Sequence, residues 1–121
     1  MLKEFTRVRQ ENGSFRRLFT DERFDLYVWY DKLGGELLGF QLVILSEGEE
    51  AHAFTWTEIE GSFYSGVLMG GRNDPTPILV ANGRMVRQEV RQEFFAHARD
   101  LEHSIRDLVV QTIEQHRELV R

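Results

Sequence analysis

The sequence predicts an α+β fold, an antiparallel β-meander of five to six strands with two C-terminal helices packed on one face. Up to residue 82, short runs rich in β-branched and aromatic residues alternate with glycine-rich or charged turns. The connections between these runs are too short for parallel crossovers. After Gly83 the apolar residues recur at helical spacing.

The strands follow from the turns that separate them. Residues 3–19 are predicted to form a hairpin around Asn12-Gly13, because both central residues of a type I′ turn need positive φ. The segments "FDLYVWYD", "ELLGFQLVIL" and "AHAFTWTEI" are the next three strands, divided by "KLGGE" and "SEGEE". A sixth strand is predicted at Phe63–Met69. Two prolines precede "ILV" at residues 78–80, which is therefore at most a short edge strand.

One apolar stripe runs through the C-terminal part at steps of three and four residues, which is the helical period. It consists of Val86, Val90, Phe94, Ala98, Leu101, Ile105, Leu108 and Thr112. We predict two helices with a break near Arg99–Glu102, where Asp100 is placed to cap the second helix. A single helix from Met85 to Leu119 stays as the alternative.

Length and composition restrict the class of protein. A chain of 121 residues is expected to form a single domain, with its strands within 1–82 and its helices within 83–121. The chain has no cysteine, which excludes disulfides and cysteine metal sites. Neither a secretory signal nor a membrane-spanning run is recognisable, so we expect a soluble cytoplasmic protein.

The net charge of −5 is concentrated in the middle of the chain. Residues 24–64 carry one basic and eight acidic side chains. Nucleic-acid binding depends mainly on neutralising phosphates, so this acidic segment argues against a nucleic-acid partner.

The predicted third and fourth strands carry large side chains on both of their faces. Leu26, Val28, Leu38, Phe40 and Leu42 form an apolar set that is expected to lie under the helices. The opposite face carries Tyr27, Trp29 and Gln41, whose apolar bodies and polar tips are typical of recognition surfaces. Half-exposed aromatic residues are also ordinary on antiparallel sheets, so both interpretations stay open.

Signals for catalysis or metal binding are weak. The four histidines show no metal-ligand spacing, and Ser62 and Ser65 have no recognisable base or oxyanion context. The loop "GVLMGGRNDPTP" could hold an anion through Arg72, with Asp74 and Glu58 as further polar groups, although it matches no phosphate-binding motif. We therefore predict no catalytic residue, no metal ligand and no cofactor.

The blocks "FRRLFTDERFDLYVWYD", "GFQL" and "TPILV" resemble a group of uncharacterised bacterial proteins. The resemblance covers most of the chain from about Phe15 to the first helix. It implies a small bacterial cytosolic protein and no particular activity.

The leading functional hypothesis is a non-enzymatic binding module that forms a homodimer, with no nucleic-acid or membrane partner. The alternative is a small enzyme or a protein that binds an anionic metabolite, with its site between the uncovered sheet face and residues 66–77. The candidate surface residues are Tyr27, Trp29, Gln41, Trp56, Glu58, Arg72 and Asp74.

Overall fold

The fold is an antiparallel sheet followed by two helices. The computed structural model describes residues 1–10, 13–45, 50–68, 78–80 and 87–116. Within these ranges, seven strands lie side by side in chain order. They are β1 (Lys3–Phe5), β2 (Phe15–Thr20), β3 (Phe24–Tyr30), β4 (Leu37–Ile44), β5 (Glu50–Thr57), β6 (Gly61–Leu68) and β7 (Ile78–Val80), and they precede α1 (Arg87–His97) and α2 (His103–Gln115).

The α+β class and the meander are therefore confirmed. The seventh strand is the short segment Ile78–Val80, which pairs with β6 at the edge of the sheet. Among the described residues, Asp21 shapes the turn before β3, because its Oδ1 accepts the backbone N–H groups of Arg23 and Phe24 at 2.7 and 2.8 Å. Gly34 provides the positive φ, +76°, that the turn before β4 requires.

The helices cover one face of the sheet, which we call the first face. Strand side chains alternate between faces, so every second residue of β2–β5 points towards the helices. Phe94 of α1 meets Phe24 of β3 edge-on, with ring centroids 5.9 Å apart. The buried core consists of Leu2, Phe19, Phe24, Leu26, Val28, Phe40, Leu42, Ile44, Phe54, Phe94, Ala98, Leu101, Ile105, Val109 and Ile113.

The predicted break between two helices is confirmed, and the single long helix is wrong. Residues 98–102 form turns, and the stripe residues on either side of them still reach the same core. The predicted capping role of Asp100 is wrong. The N-cap of α2 is Glu102, two residues after Asp100. Its backbone is extended, with a ψ of 132°, and its side chain makes no capping hydrogen bond.

The prediction that Leu38 lies under the helices is also wrong. The register between β3 and β4 shifts between Trp29 and Tyr30, so Tyr30 pairs with Leu37. Such a bulge reverses the alternation of the residues beyond it. Leu37, and not Leu38, therefore packs against the core.

The first hairpin differs from the prediction in its register. Asn12 lies outside the described residues, and Gly13 has the expected positive φ of +85°. A two-residue turn at positions 12 and 13 would pair Gln10 with Phe15. Instead Phe5 pairs with Leu18, a register shifted by two residues from the one that this turn would give. The segment between Phe5 and the turn therefore has two residues too many to continue the ladder, and β1 ends at Phe5.

Candidate functional site

The face opposite the helices, which we call the second face, presents a row of side chains that crosses six strands. Strand pairing aligns these residues one beside the next, and alternation points them all to the same side. The row consists of Phe5, Leu18, Tyr27, Gln41, Thr55 and Phe63. Tyr27 and Gln41 share this face, as the sequence predicted, and the strand register makes them direct neighbours.

Exposure decreases along the second face from β1 towards β5. The Phe5 side chain is 47% exposed, whereas Val43 and Ala53 are 4% and 0% exposed. Tyr27 and Leu45 pack against Val43 and Ala53, which form a small second core. The accessible part of the face is therefore its β1–β3 side, where Phe5, Leu18, Tyr27 and Trp29 form what we call the aromatic surface.

Polar groups border this aromatic surface. Gln41 Nε2 donates a hydrogen bond to Thr55 Oγ1 at 3.1 Å. Burial raises the pKa of the Tyr27 phenol, Asp25 raises it further, and Arg16 acts in the opposite direction. The phenol is therefore protonated at neutral pH and offers a hydrogen-bond donor. No residue within the described ranges pairs with that hydroxyl.

The predicted surface residues do not form one site. Trp56 lies on the first face, where its ring stacks on Phe40 with centroids 6.0 Å apart, so its assignment to this surface is wrong. Glu58 is exposed in the turn after β5. Arg72 and Asp74 lie outside the described residues. Only Tyr27, Trp29 and Gln41 share the second face.

The structure brings Ser62 and His116 together, which the sequence analysis missed. Ser62 Oγ lies 2.9 Å from His116 Nδ1, although the two residues are 54 positions apart. His116 is only 4% exposed, and its ring meets Phe54 edge-on at 5.1 Å. A general base must reach a substrate. The burial of this imidazole indicates instead a polar contact that holds the end of α2 on β6.

A second cluster joins Asp21 and Glu22 to His97. Their possible metal-ligand atoms lie within 4.8 Å of one another. His97 Nδ1 is 2.6 Å from Asp21 Oδ2, and the other Asp21 oxygen accepts two backbone hydrogen bonds. Both oxygens of Asp21 are thus engaged in holding the turn before β3 against the end of α1. The cluster has a structural explanation.

Arg17 lies beside a shallow pocket of about 280 Å³ between β1, β2 and the turn that precedes α2. Its guanidinium pairs with Glu4 and Glu102, each at 2.8 Å. The hydrogen bond to Glu4 is the main reason why the pKa of Arg17 is raised, against the effect of burial. Because two carboxylates already neutralise this cation, the pocket is a poor site for an anion.

No helix in the described part of the chain is long and apolar enough to cross a membrane. No family model matches this chain, and neither a curated protein nor a solved structure matches it significantly.

Proposed function

We propose that this protein is a non-enzymatic binding module that forms a homodimer through the aromatic surface of its second face. The observation that carries the proposal is the one-sided position of the helices. They bury the first face, while Phe5 stays 47% exposed and Leu18, Tyr27 and Trp29 are only half-buried on the second. Aromatic side chains with polar tips are enriched at protein–protein interfaces.

A second copy is the partner that we propose, because the surface combines complementary groups. A twofold interface brings one patch against itself, so the patch must contain both hydrogen-bond donors and acceptors. Tyr27 offers a protonated phenol, and Gln41 keeps its Oε1 as an acceptor while its Nε2 bonds to Thr55. Arg16 and Asp25 lie on the same face and add one charge of each sign.

The first test is the mass of the protein in solution. We expect light scattering coupled to size exclusion, with native mass spectrometry on the same fraction, to give a dimer of bare mass. A monomer at high concentration contradicts the homodimer. A monomer with additional bound mass supports the metabolite-binding alternative instead.

A pair of phenylalanine variants tests the surface itself. Phe5→Ser should raise the dimer dissociation constant about tenfold, because it removes an exposed aromatic contact. Phe95→Ser on α1 is the matched control, since Phe95 is 52% exposed but lies on a helix. If both variants raise the dimer dissociation constant equally, or neither raises it, the interface does not lie on the second face.

A further inference from the structure

The outer edge of β2 is paired with a backbone strand over only part of its length. Phe5 of β1 pairs with Leu18, and the next alternate pair in that register would be Arg7 with Arg16. However, β1 ends at Phe5. The main-chain groups of Arg16, which point away from β3, therefore lack a strand partner.

The side chain of Gln10 takes the place of that missing strand. Its Nε2 donates to the carbonyl oxygen of Arg16 at 2.8 Å, and its Oε1 accepts the backbone N–H of Arg16 at 2.7 Å. A primary amide has the same donor and acceptor as a peptide group, so it reproduces both hydrogen bonds of a paired strand residue. The Arg16 guanidinium also donates to the carbonyl oxygen of Arg9 at 2.7 Å.

We propose that the β2 edge at Arg16 is a strand-addition site, that Gln10 occupies it in the free protein, and that its partner is an extended acidic peptide segment. Proteins commonly protect sheet edges against added strands. Here the protecting group is one side chain, which can be displaced while β2 stays paired with β3. A peptide main chain would then make the two hydrogen bonds that Gln10 makes now.

The charge around this edge selects the partner. Arg16 lies at this edge, its guanidinium contacts the main chain of Arg9, and Arg7 lies two residues before Arg9 in the chain, although the whole protein carries a net charge of −5. A second copy that added its own β2 with Arg16 opposite Arg16 would bring like charges together, which is destabilising. An acidic strand places carboxylates opposite these cations. The proposal therefore concerns a different partner from the homodimer, and the main-chain groups of Arg16 instead of the side chains of the aromatic surface.

The test uses the full chain, labelled with ¹⁵N, and a short peptide of alternating Glu and Val. We expect the peptide to shift the Gln10 side-chain NH₂ signals and the Arg16 backbone amide. A peptide of alternating Lys and Val should leave both unchanged. Gln10→Ala should bind the acidic peptide about tenfold more tightly, because the peptide no longer displaces two hydrogen bonds.

Gln92→Ala is the matched control, because it removes an exposed glutamine of α1, away from the β2 edge, and should not change peptide affinity. Equal or weaker peptide binding by Gln10→Ala would overturn the proposal. Peptide-induced shifts that leave the backbone amide signal of Arg16 unchanged would overturn it as well. If Gln10→Ala forms larger assemblies without peptide, the occupant is another copy and the acidic partner is wrong. Loss of the dimer in Phe5→Ser bears only on the aromatic surface.

Discussion

Asp21 illustrates how one side chain organises a turn and couples it to a helix. Its Oδ1 accepts two backbone N–H groups of the turn, and its Oδ2 lies 2.6 Å from His97 Nδ1 at the end of α1. Burial alone would raise the pKa of this carboxyl group. The hydrogen bonds from His97, Arg23 and Phe24 outweigh burial and hold the pKa below its ordinary value of 3.8.

This lowered pKa predicts a loss of stability in acid. The folded protein binds the Asp21 proton less tightly than the unfolded chain, so protonation favours unfolding. The stabilisation is fully present above pH 3.8 and disappears as the pH falls through the lowered folded-state pKa. Asp21→Asn should lower the free energy of unfolding by about 2 kcal/mol at neutral pH.

Urea unfolding at a series of pH values measures this effect. The difference between the wild type and Asp21→Asn should shrink towards acid, while Glu22→Gln, at the exposed neighbouring position, should give a small and constant difference. A wild-type advantage that persists unchanged at low pH would show that Asp21 acts through its shape and not through its charge.

At the level of single elements, the first hairpin shows a conflict between a local signal and a distant one. Asn12-Gly13 favours a turn that pairs Gln10 with Phe15. The core instead requires the register in which Phe5 pairs with Leu18, because Leu2 is 1% exposed and its backbone N–H bonds to the carbonyl of His97. The sequence shows the turn but not this tertiary contact, so it cannot predict where β1 ends.

Deleting Arg7 and Val8 should remove the conflict. The two registers differ by two residues, so the shortened chain can pair Arg9 with Arg16 through backbone groups and continue the ladder to the turn. We expect stronger protection of the amides of residues 15–17 in hydrogen exchange, and a free energy of unfolding higher by about 1 kcal/mol. Unchanged or weaker protection would mean that the register is not what shortens β1.

The same deletion provides a control for the strand-addition site. With Arg16 paired to backbone, the acidic peptide should no longer shift its amide signal. Persistent peptide binding by the deletion variant would place the peptide elsewhere on the protein.

For the whole molecule, the sequence predicts the layers better than it predicts the site. The period changes from two to about 3.6 near residue 83, and this change alone separates sheet from helices. Alternation also predicts which strand residues share a face, as Tyr27 and Gln41 do. Apolar residues occupy both faces of β4, however, so the pattern cannot show that Val43 and Ala53 are buried on the second face while Phe5 stays exposed and Tyr27 and Trp29 only half-buried.

The bulge and the Ser62–His116 contact were beyond sequence reasoning for a related reason. A glycine inside a strand can mark a bulge, and Gly39 follows Leu37 and Leu38, but it does not show which residue is inserted or which of the two leucines then meets the core. Ser62 and His116 meet only because the end of α2 lies beside β5 and β6, which depends on how the helices dock on the sheet. Contacts between distant segments follow from packing, and one sequence does not show the packing partner.

Two adjacent phenylalanines on α1 test whether this docking stabilises the whole fold. Phe94 is 0% exposed and packs against Phe24, whereas Phe95 is 52% exposed and lies under Arg106, 5.3 Å from its ring centroid. Phe94→Ala should lower the free energy of unfolding by about 3–5 kcal/mol, because it leaves a cavity between the sheet and the helices. Phe95→Ala should lower it by less than about 1 kcal/mol, since it empties no buried space.

Denaturant unfolding, followed by both circular dichroism and tryptophan fluorescence, compares the two variants. If the core joins both layers, the two probes should report one transition in each variant. If Phe94→Ala melts the helices before the sheet, the helices are a separable cover and not part of a single cooperative core.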